Sequence, residues 1–265
     1  MQIIEWEPFF KNEFLEFSLN IGCPINCLKY CPQEVTIKRY ASSVTEMSME
    51  SFKAILNKTP RNIGILFSGL AEPFCNPRFT EMAEIAYSRG HKLVVFTTLL
   101  NAKKSDVERL SKLRYELFCI HLPDGKVTSI ETTREYQENV FSLIRTIPTV
   151  SFQLMNDRFI THNRENVTRG LLPKKRRLSF CMKLKTPQFV VLPNGDVHIC
   201  WMDFGLKHKI GNLLSESYET VKERHFRNSS YWLCQYCALN TSARWHFLTK
   251  TYELVHKTFG KKTIT

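Results

Sequence analysis

Cys23, Cys27 and Cys31 stand within nine residues, directly after an apolar run at residues 14–21. Three thiolates on one short loop can hold three corners of a cubane iron–sulfur cluster and leave the fourth iron without a protein ligand. Chemistry could happen at such an open iron. A second set, Cys181, Cys200, Cys234 and Cys237, lies in the last third of the chain. The pair Cys234 and Cys237, with two residues between them, suits zinc, an iron–sulfur cluster or a redox disulfide alike. Taken alone, four cysteines in a small module read as structural zinc.

The bulk of the sequence narrows these options. Nine cysteines in 265 residues exceed what packing needs, and an odd count argues against a fully paired secreted framework. Residues 1–8 carry two glutamates and no long apolar run, so they read neither as a signal peptide nor as an anchor. No apolar stretch approaches the ~20 residues a membrane span requires. A soluble, cytoplasmic protein with reduced thiols is expected, with no membrane partner. The formal net charge of +12 favours acidic partners. The densest basic run, Lys174-Lys175-Arg176-Arg177, lacks the interleaved aromatics of a nucleic-acid platform and reads as a solvated loop.

The cysteines need elements to position them. Residues 15–21, 63–67, 93–98, 117–122 and 150–155 are nearly continuous in apolar residues, as strands covered on both faces should be. Between them, helix signals recur. Ser48 precedes Met49, Phe52, Ile55 and Leu56, and Asn76-Pro77 precede Phe79, Met82, Ala83 and Ala86, with Gly90 as the closing glycine. Ser105 and Glu108 read as a capping box, and Ser129 as the start of a longer helix using Tyr136, Val140, Leu143 and Ile144. Alternating strands and helices predict an α/β fold with a parallel sheet, either a βα-barrel or a doubly wound sheet. In a barrel the reactive groups leave the C-terminal ends of the strands. Both the three-cysteine loop and Ser68-Gly69-Leu70-Ala71-Glu72-Pro73-Phe74-Cys75 do so. Beyond residue 157 the rhythm changes, and Asn194-Gly195 predicts a hairpin turn. Residues 243–259 read as a closing helix.

Together these residues resemble the radical S-adenosylmethionine enzymes. The usual family spacing is three residues and then two between the cysteines; here it is three and three, with Tyr30 as the aromatic residue before the third. Gly69, Ala71, Glu72 and Pro73 look like the family's Gly-Glu-Pro element, whose backbone meets the methionine ammonium. Cys181, eighteen residues, Cys200, then Cys234 and Cys237 is similar to the shortened SPASM module called twitch, and Asn194-Gly195-Asp196, Asp203 and Gly211-Asn212-Leu213 stand where such modules carry them.

The resemblance implies a partial (β/α)6 TIM-like barrel over residues 1–178 and a small α+β auxiliary-cluster module over residues 179–265. It implies two [4Fe–4S] clusters, on Cys23, Cys27 and Cys31 and on Cys181, Cys200, Cys234 and Cys237, with S-adenosylmethionine near Tyr30, Gly69, Ala71, Glu72 and Thr98. A flavodoxin or ferredoxin would supply an electron, and a 5′-deoxyadenosyl radical would take hydrogen from an anionic or sugar-like small molecule. The auxiliary cluster would accept the remaining electron from an oxidised alcohol. His121 and Asp124 end the fourth strand as candidate bases, and Gln153, Asn156 and Asp157 end the fifth. Cys119 reads as a small core hydrophobe. Cys75 could return a hydrogen atom and make the enzyme an epimerase. A peptide maturase is a further alternative, and a zinc or nucleic-acid-binding module is the non-enzyme one.

Overall fold

The computed structural model describes residues 12–25, 27, 31–123, 125, 128, 130–155, 179–180, 188–227 and 241–242. Its centre is an eight-stranded sheet. The strands are β1 (Phe14–Phe17), β2 (Gly64–Phe67), β3 (Leu93–Thr97), β4 (Leu117–Pro123), β5 (Val150–Met155), β7 (Gln188–Val191), β8 (Asp196–His198) and β9 (Lys209–Asn212). They run in the order β5-β4-β3-β2-β1-β7-β8-β9. β6 (Ser179–Phe180) and β10 (Thr241–Ser242) form a separate antiparallel pair.

From β5 to β1 every pairing is parallel, and β7 joins the free side of β1, also in parallel. β1, β2 and β7 are buried throughout, which is why their sequences are apolar almost without alternation. β8 and β9 then return antiparallel. The hairpin thus continues the main sheet. Its turn is a three-residue loop: Gly195 N–H bonds Leu192 C=O at 2.8 Å and Gly195 itself takes φ +81°.

One face of the sheet carries the main core. Leu15, Phe17, Ile65, Phe67, Leu93, Val95, Phe118 and Ile120 meet side chains of five helices: α2 (Met49–Lys58), α3 (Phe79–Ser88), α4 (Lys104–Leu110), α5 (Arg134–Thr146) and α6 (Tyr218–Arg227). The first helix, α1 (Gln33–Arg39), follows the three-cysteine loop. Aromatic edges lock the centre, with Phe17 and Phe52 5.0 Å apart and Phe67 and Phe79 5.2 Å apart. Each such ring contributes roughly 1.5–3 kcal/mol by leaving water. No helix among the described residues is long and apolar enough to cross a membrane.

Local signals hold in part. Ser48 caps α2 by accepting the Ser51 N–H at 3.1 Å. Gly90, at φ +87°, and His91 close α3 with bonds to Tyr87 and Ala86 carbonyls, a Schellman arrangement. The predicted Ser105–Glu108 box is displaced: α4 starts earlier, and Asp106 reaches back to the Lys103 N–H at 3.1 Å while accepting the Thr80 hydroxyl at 2.8 Å. Thr133, rather than Ser129, caps α5. Strand β1 ends at Phe17, because Leu19 and Ile21 turn to bond Met47 and Thr45 instead. Helix α6, capped by Ser217, was not foreseen. The proposed closing helix at 243–259 and the basic run at 174–177 lie outside the described residues.

Candidate functional site

The chain leaves β1, turns at Gly22 with φ +89°, and enters the three-cysteine loop. Cys23, Cys27 and Cys31 gather on one apolar patch with Ile25, Leu100, Ile130, Tyr136 and Met155. Cys31 N–H bonds the Cys27 carbonyl at 3.1 Å, which closes the last turn of the loop before α1. Gln33, at the start of α1, donates its amide to Cys31 Sγ at 3.3 Å and also to the Leu70 carbonyl. It therefore ties the cysteine loop to the loop after β2.

That second loop is held mainly by acidic and hydroxyl groups. Gly69 takes φ +80°, and its N–H bonds Glu16 Oε1 at 2.7 Å; Leu70 N–H bonds Ser18 Oγ at 3.1 Å. Glu72 is buried and receives four donors: the Thr97 hydroxyl at 2.5 Å, the Thr98 N–H and hydroxyl at 2.7 Å each, and Phe74 N–H at 3.3 Å. Burial raises its carboxyl pKa, and the bonds from Thr97 and Thr98 oppose the rise. Thr98 thus turns its donors to Glu72. After Glu72 the chain makes one 3-10 turn, Pro73–Cys75, anchored where Asn20 donates to the Cys75 carbonyl at 3.3 Å and Asn76 to the Leu19 and Met47 carbonyls.

This turn brings Cys75 against Cys23. Their shared hydrogen bond lowers the Cys23 pKa, helped by the backbone N–H groups of Ile25 and Glu72, and raises that of Cys75. Tyr30 lies outside the described residues.

The register of the parallel strands puts Phe14, Glu16, Leu66, Val94, Phe96, Cys119, His121, Ser151, Gln153 and Gln188 on the face opposite the helices. His121 pairs with Gln153 across β4 and β5 and packs its ring 5.7 Å from that of Phe96. Cys119 is fully buried, and burial pushes its pKa up to about 11. Asp124, Asn156 and Asp157 lie outside the described residues.

In the hairpin, the elements singled out from sequence meet. Asn212 donates its amide to Asn194 C=O at 3.0 Å and Asp196 Oδ1 at 2.8 Å, and Leu213 N–H bonds Gly195 C=O. Cys200 follows β8, and its sulfur accepts the Met202 N–H at 3.4 Å. Asp203, fully buried, accepts His198 Nδ1 at 2.8 Å and His208 Nδ1 at 3.0 Å. Burial raises this carboxyl, but the imidazole bonds outweigh it and hold the pKa at about 2. Cys181, Cys234 and Cys237 lie outside the described residues.

Cys23, Cys27 and Cys31 have the chemistry of iron–sulfur ligands. The six described cysteines are in no disulfide. N–H donors point at the sulfurs of Cys23, Cys31 and Cys200, as they do at cluster thiolates. Among the described residues no three ligating side chains close around a single ion. Sequence reasoning missed Glu16, Ser18, Gln33 and Gln188. Of these only Glu16 carried a signal, as the one charge within residues 14–21.

No family model and no curated protein matches the chain. Among solved structures, BtrN in complex with AdoMet and 2-DOIA is similar at a TM-score of 0.62 and 16% identity, covering 85% of this chain and 92% of that one. Native anSMEcpe with bound AdoMet is similar at 0.53 and 14%, over 86% and 88% of the two chains. Streptococcus suis SuiB bound to precursor peptide SuiA is similar at 0.52 and 13%, over 86% and 70%. All three are radical S-adenosylmethionine enzymes, and the chain has their fold, an α/β partial barrel on a mainly parallel sheet.

Proposed function

We propose that this chain is a radical S-adenosylmethionine enzyme that oxidises an alcohol of a sugar-like or nucleotide-sugar-like small molecule. One observation carries the proposal. The three-cysteine loop and the Gly69-to-Pro73 loop leave adjacent parallel strands at the same end of the sheet, and Gln33 joins them by donating to both Cys31 and the Leu70 carbonyl. Cys23, Cys27 and Cys31 would hold a [4Fe–4S] cluster, and carbonyls of the second loop would receive the methionine ammonium. When bound, the cluster and S-adenosylmethionine together supply a 5′-deoxyadenosyl radical for hydrogen abstraction.

The chain's own side chains would do the rest. His121 and Gln153, on the face opposite the helices, would orient the substrate, His121 taking the hydroxyl proton. Asp124 is the second candidate base. Cys200, with Cys181, Cys234 and Cys237, would hold an auxiliary cluster that takes the remaining electron. If Cys75 instead returns a hydrogen atom from its thiol, the product is an epimer. The charge of +12 suits an acidic flavodoxin or ferredoxin as electron donor. A compact chain whose match spans 92% of BtrN, solved with 2-DOIA, supports a small-molecule substrate. A peptide substrate is the second reading, favoured by anSMEcpe, which is solved with the Cp18Cys peptide and matched over 88% of its length.

The test is anaerobic purification followed by iron and sulfide counting. About eight irons per chain are expected for two cubanes; zinc without labile sulfide sinks the proposal. With reductant and S-adenosylmethionine the protein should release 5′-deoxyadenosine. A Cys31→Ala protein that still does so refutes the first-cluster assignment.

A further inference from the structure

We infer that Glu16 is a positioning residue: from within the sheet its carboxylate fixes the Gly69 turn and ties it to β7, so that the Ser68 and Gly69 carbonyls are presented to the methionine ammonium. The inference rests on the function proposed above and concerns the same loop.

Glu16 is 2% exposed in the middle of β1. One carboxylate oxygen accepts the Gly69 N–H at 2.7 Å, and the other accepts Gln188 Nε2 at 2.8 Å. β1 lies between β2 and β7, so this one group spans both seams of its strand. Two residues on, Ser18 Oγ accepts the Leu70 N–H. Two successive amides of the loop are therefore turned toward β1.

The consequence follows from peptide geometry. No peptide bond among the described residues is cis, and in a trans peptide the N–H and C=O point in opposite directions. With the Gly69 and Leu70 N–H groups bonded to β1 side chains, the Ser68 and Gly69 carbonyls face away from β1. Two adjacent carbonyls presented to one side form an acceptor pair for a cation. A carboxylate bonded to the N–H end of a peptide also polarises it and strengthens its carbonyl as an acceptor. A buried carboxylate is a costly device for holding a turn, since a neutral group would avoid the desolvation.

Two variants separate the parts of this role. In Glu16→Gln the amide oxygen still accepts from Gly69. Its NH2 can donate to Gln188 Oε1, which is buried without a partner, once the Gln188 amide turns over. The charge is lost, and the turned-over Gln188 amide leaves its NH2 in the place of that oxygen. Glu16→Ala loses both bonds and leaves the Gly69 N–H unpaired. Hydrogen exchange of the peptide containing Gly69 and the KM for S-adenosylmethionine in 5′-deoxyadenosine release are measured on reconstituted protein, with iron content checked.

Glu16→Ala should exchange the Gly69 amide at least about tenfold faster and raise the KM about tenfold or more, the effect of one unpaired buried donor. Glu16→Gln should keep wild-type protection and show a smaller rise in KM. Wild-type protection in Glu16→Ala, or lost protection with an unchanged KM, overturns the inference. Should Glu16→Ala fail to fold, a wild-type KM in Glu16→Gln overturns it instead. If the wild-type protein releases no 5′-deoxyadenosine, the proposed function fails, while hydrogen exchange still decides whether Glu16 holds the turn.

Discussion

Replacing Gly69 by alanine tests the seam between β1 and the loop after β2. Gly69 sits at φ +80°, where a side chain costs about 1–2 kcal/mol. Its Cβ would also stand 2.7 Å from Ser18 Cβ and 2.9 Å from Ser18 Cα. Carbon atoms in comfortable contact lie ~3.5–4.0 Å apart. Ser18 cannot easily retreat, because its N–H is bonded to the Val191 carbonyl of β7 at 2.9 Å. Overpacking of this kind costs roughly 1–3 kcal/mol, so the two effects together amount to about 2–5 kcal/mol. That is a large share of the ~5–15 kcal/mol that typically holds a protein folded. Gly90 supplies the control, since it has φ +87° but nothing within 4 Å of its virtual Cβ. Gly90→Ala should therefore lose only the conformational part, about 1–2 kcal/mol. Urea unfolding of both variants under one set of conditions, at equal m-values, measures the difference. A Gly69→Ala protein no less stable than Gly90→Ala would show that the seam is looser than its geometry indicates.

Two further outcomes are expected. Ser48→Ala removes the cap of α2 and should lower the urea midpoint by the equivalent of about 1 kcal/mol; an unchanged midpoint would mean that water replaces the hydroxyl at no cost. His91 is buried with Nδ1–H on the Ile63 carbonyl at 2.8 Å, and burial lowers its pKa, with Arg89 and Arg61 adding to the effect. The unfolded chain therefore takes up the proton first. Stability from keeping His91 neutral is complete above pH ~6.5 and is lost as pH falls below it. His91→Leu should flatten the stability profile on the acid side of that point, and a parallel profile in the two proteins would refute this.

What could be read from the sequence followed from how local each cause is. β2 and β3 announce themselves because strands buried on both faces need unbroken apolar runs, whereas at the sheet edge β5 leaves Phe152 and Leu154 exposed. Ser48 was recognisable because a cap acts within three residues. The α4 start was misplaced because Asp106 answers to Thr80, a partner in another helix. Helix α6 is mostly polar, and its buried stripe of Tyr218, Val221 and His225 is too narrow to stand out. At the site, spacing alone singled out the cysteines and the Gly69-to-Pro73 loop. The Glu72 clamp was hidden, since Thr98 reads as a group facing a ligand until Glu72 is seen to take its donors. Gln188 had no sequence signal, because its partner Glu16 lies 172 residues away.

That separation also orders the birth of the protein. During synthesis β1 emerges ahead of β2 and can pair with it soon afterwards, but its other edge waits for Gln188–Val191 to leave the ribosome. Until then the strand that leads into the three-cysteine loop offers an open row of backbone donors and acceptors, the kind of edge that recruits other chains. Closing it requires a long-range contact, which is slow to form. Ribosome-bound chains stalled before residue 188 should therefore be the aggregation-prone species, and the emergence of β7 the step that protects them.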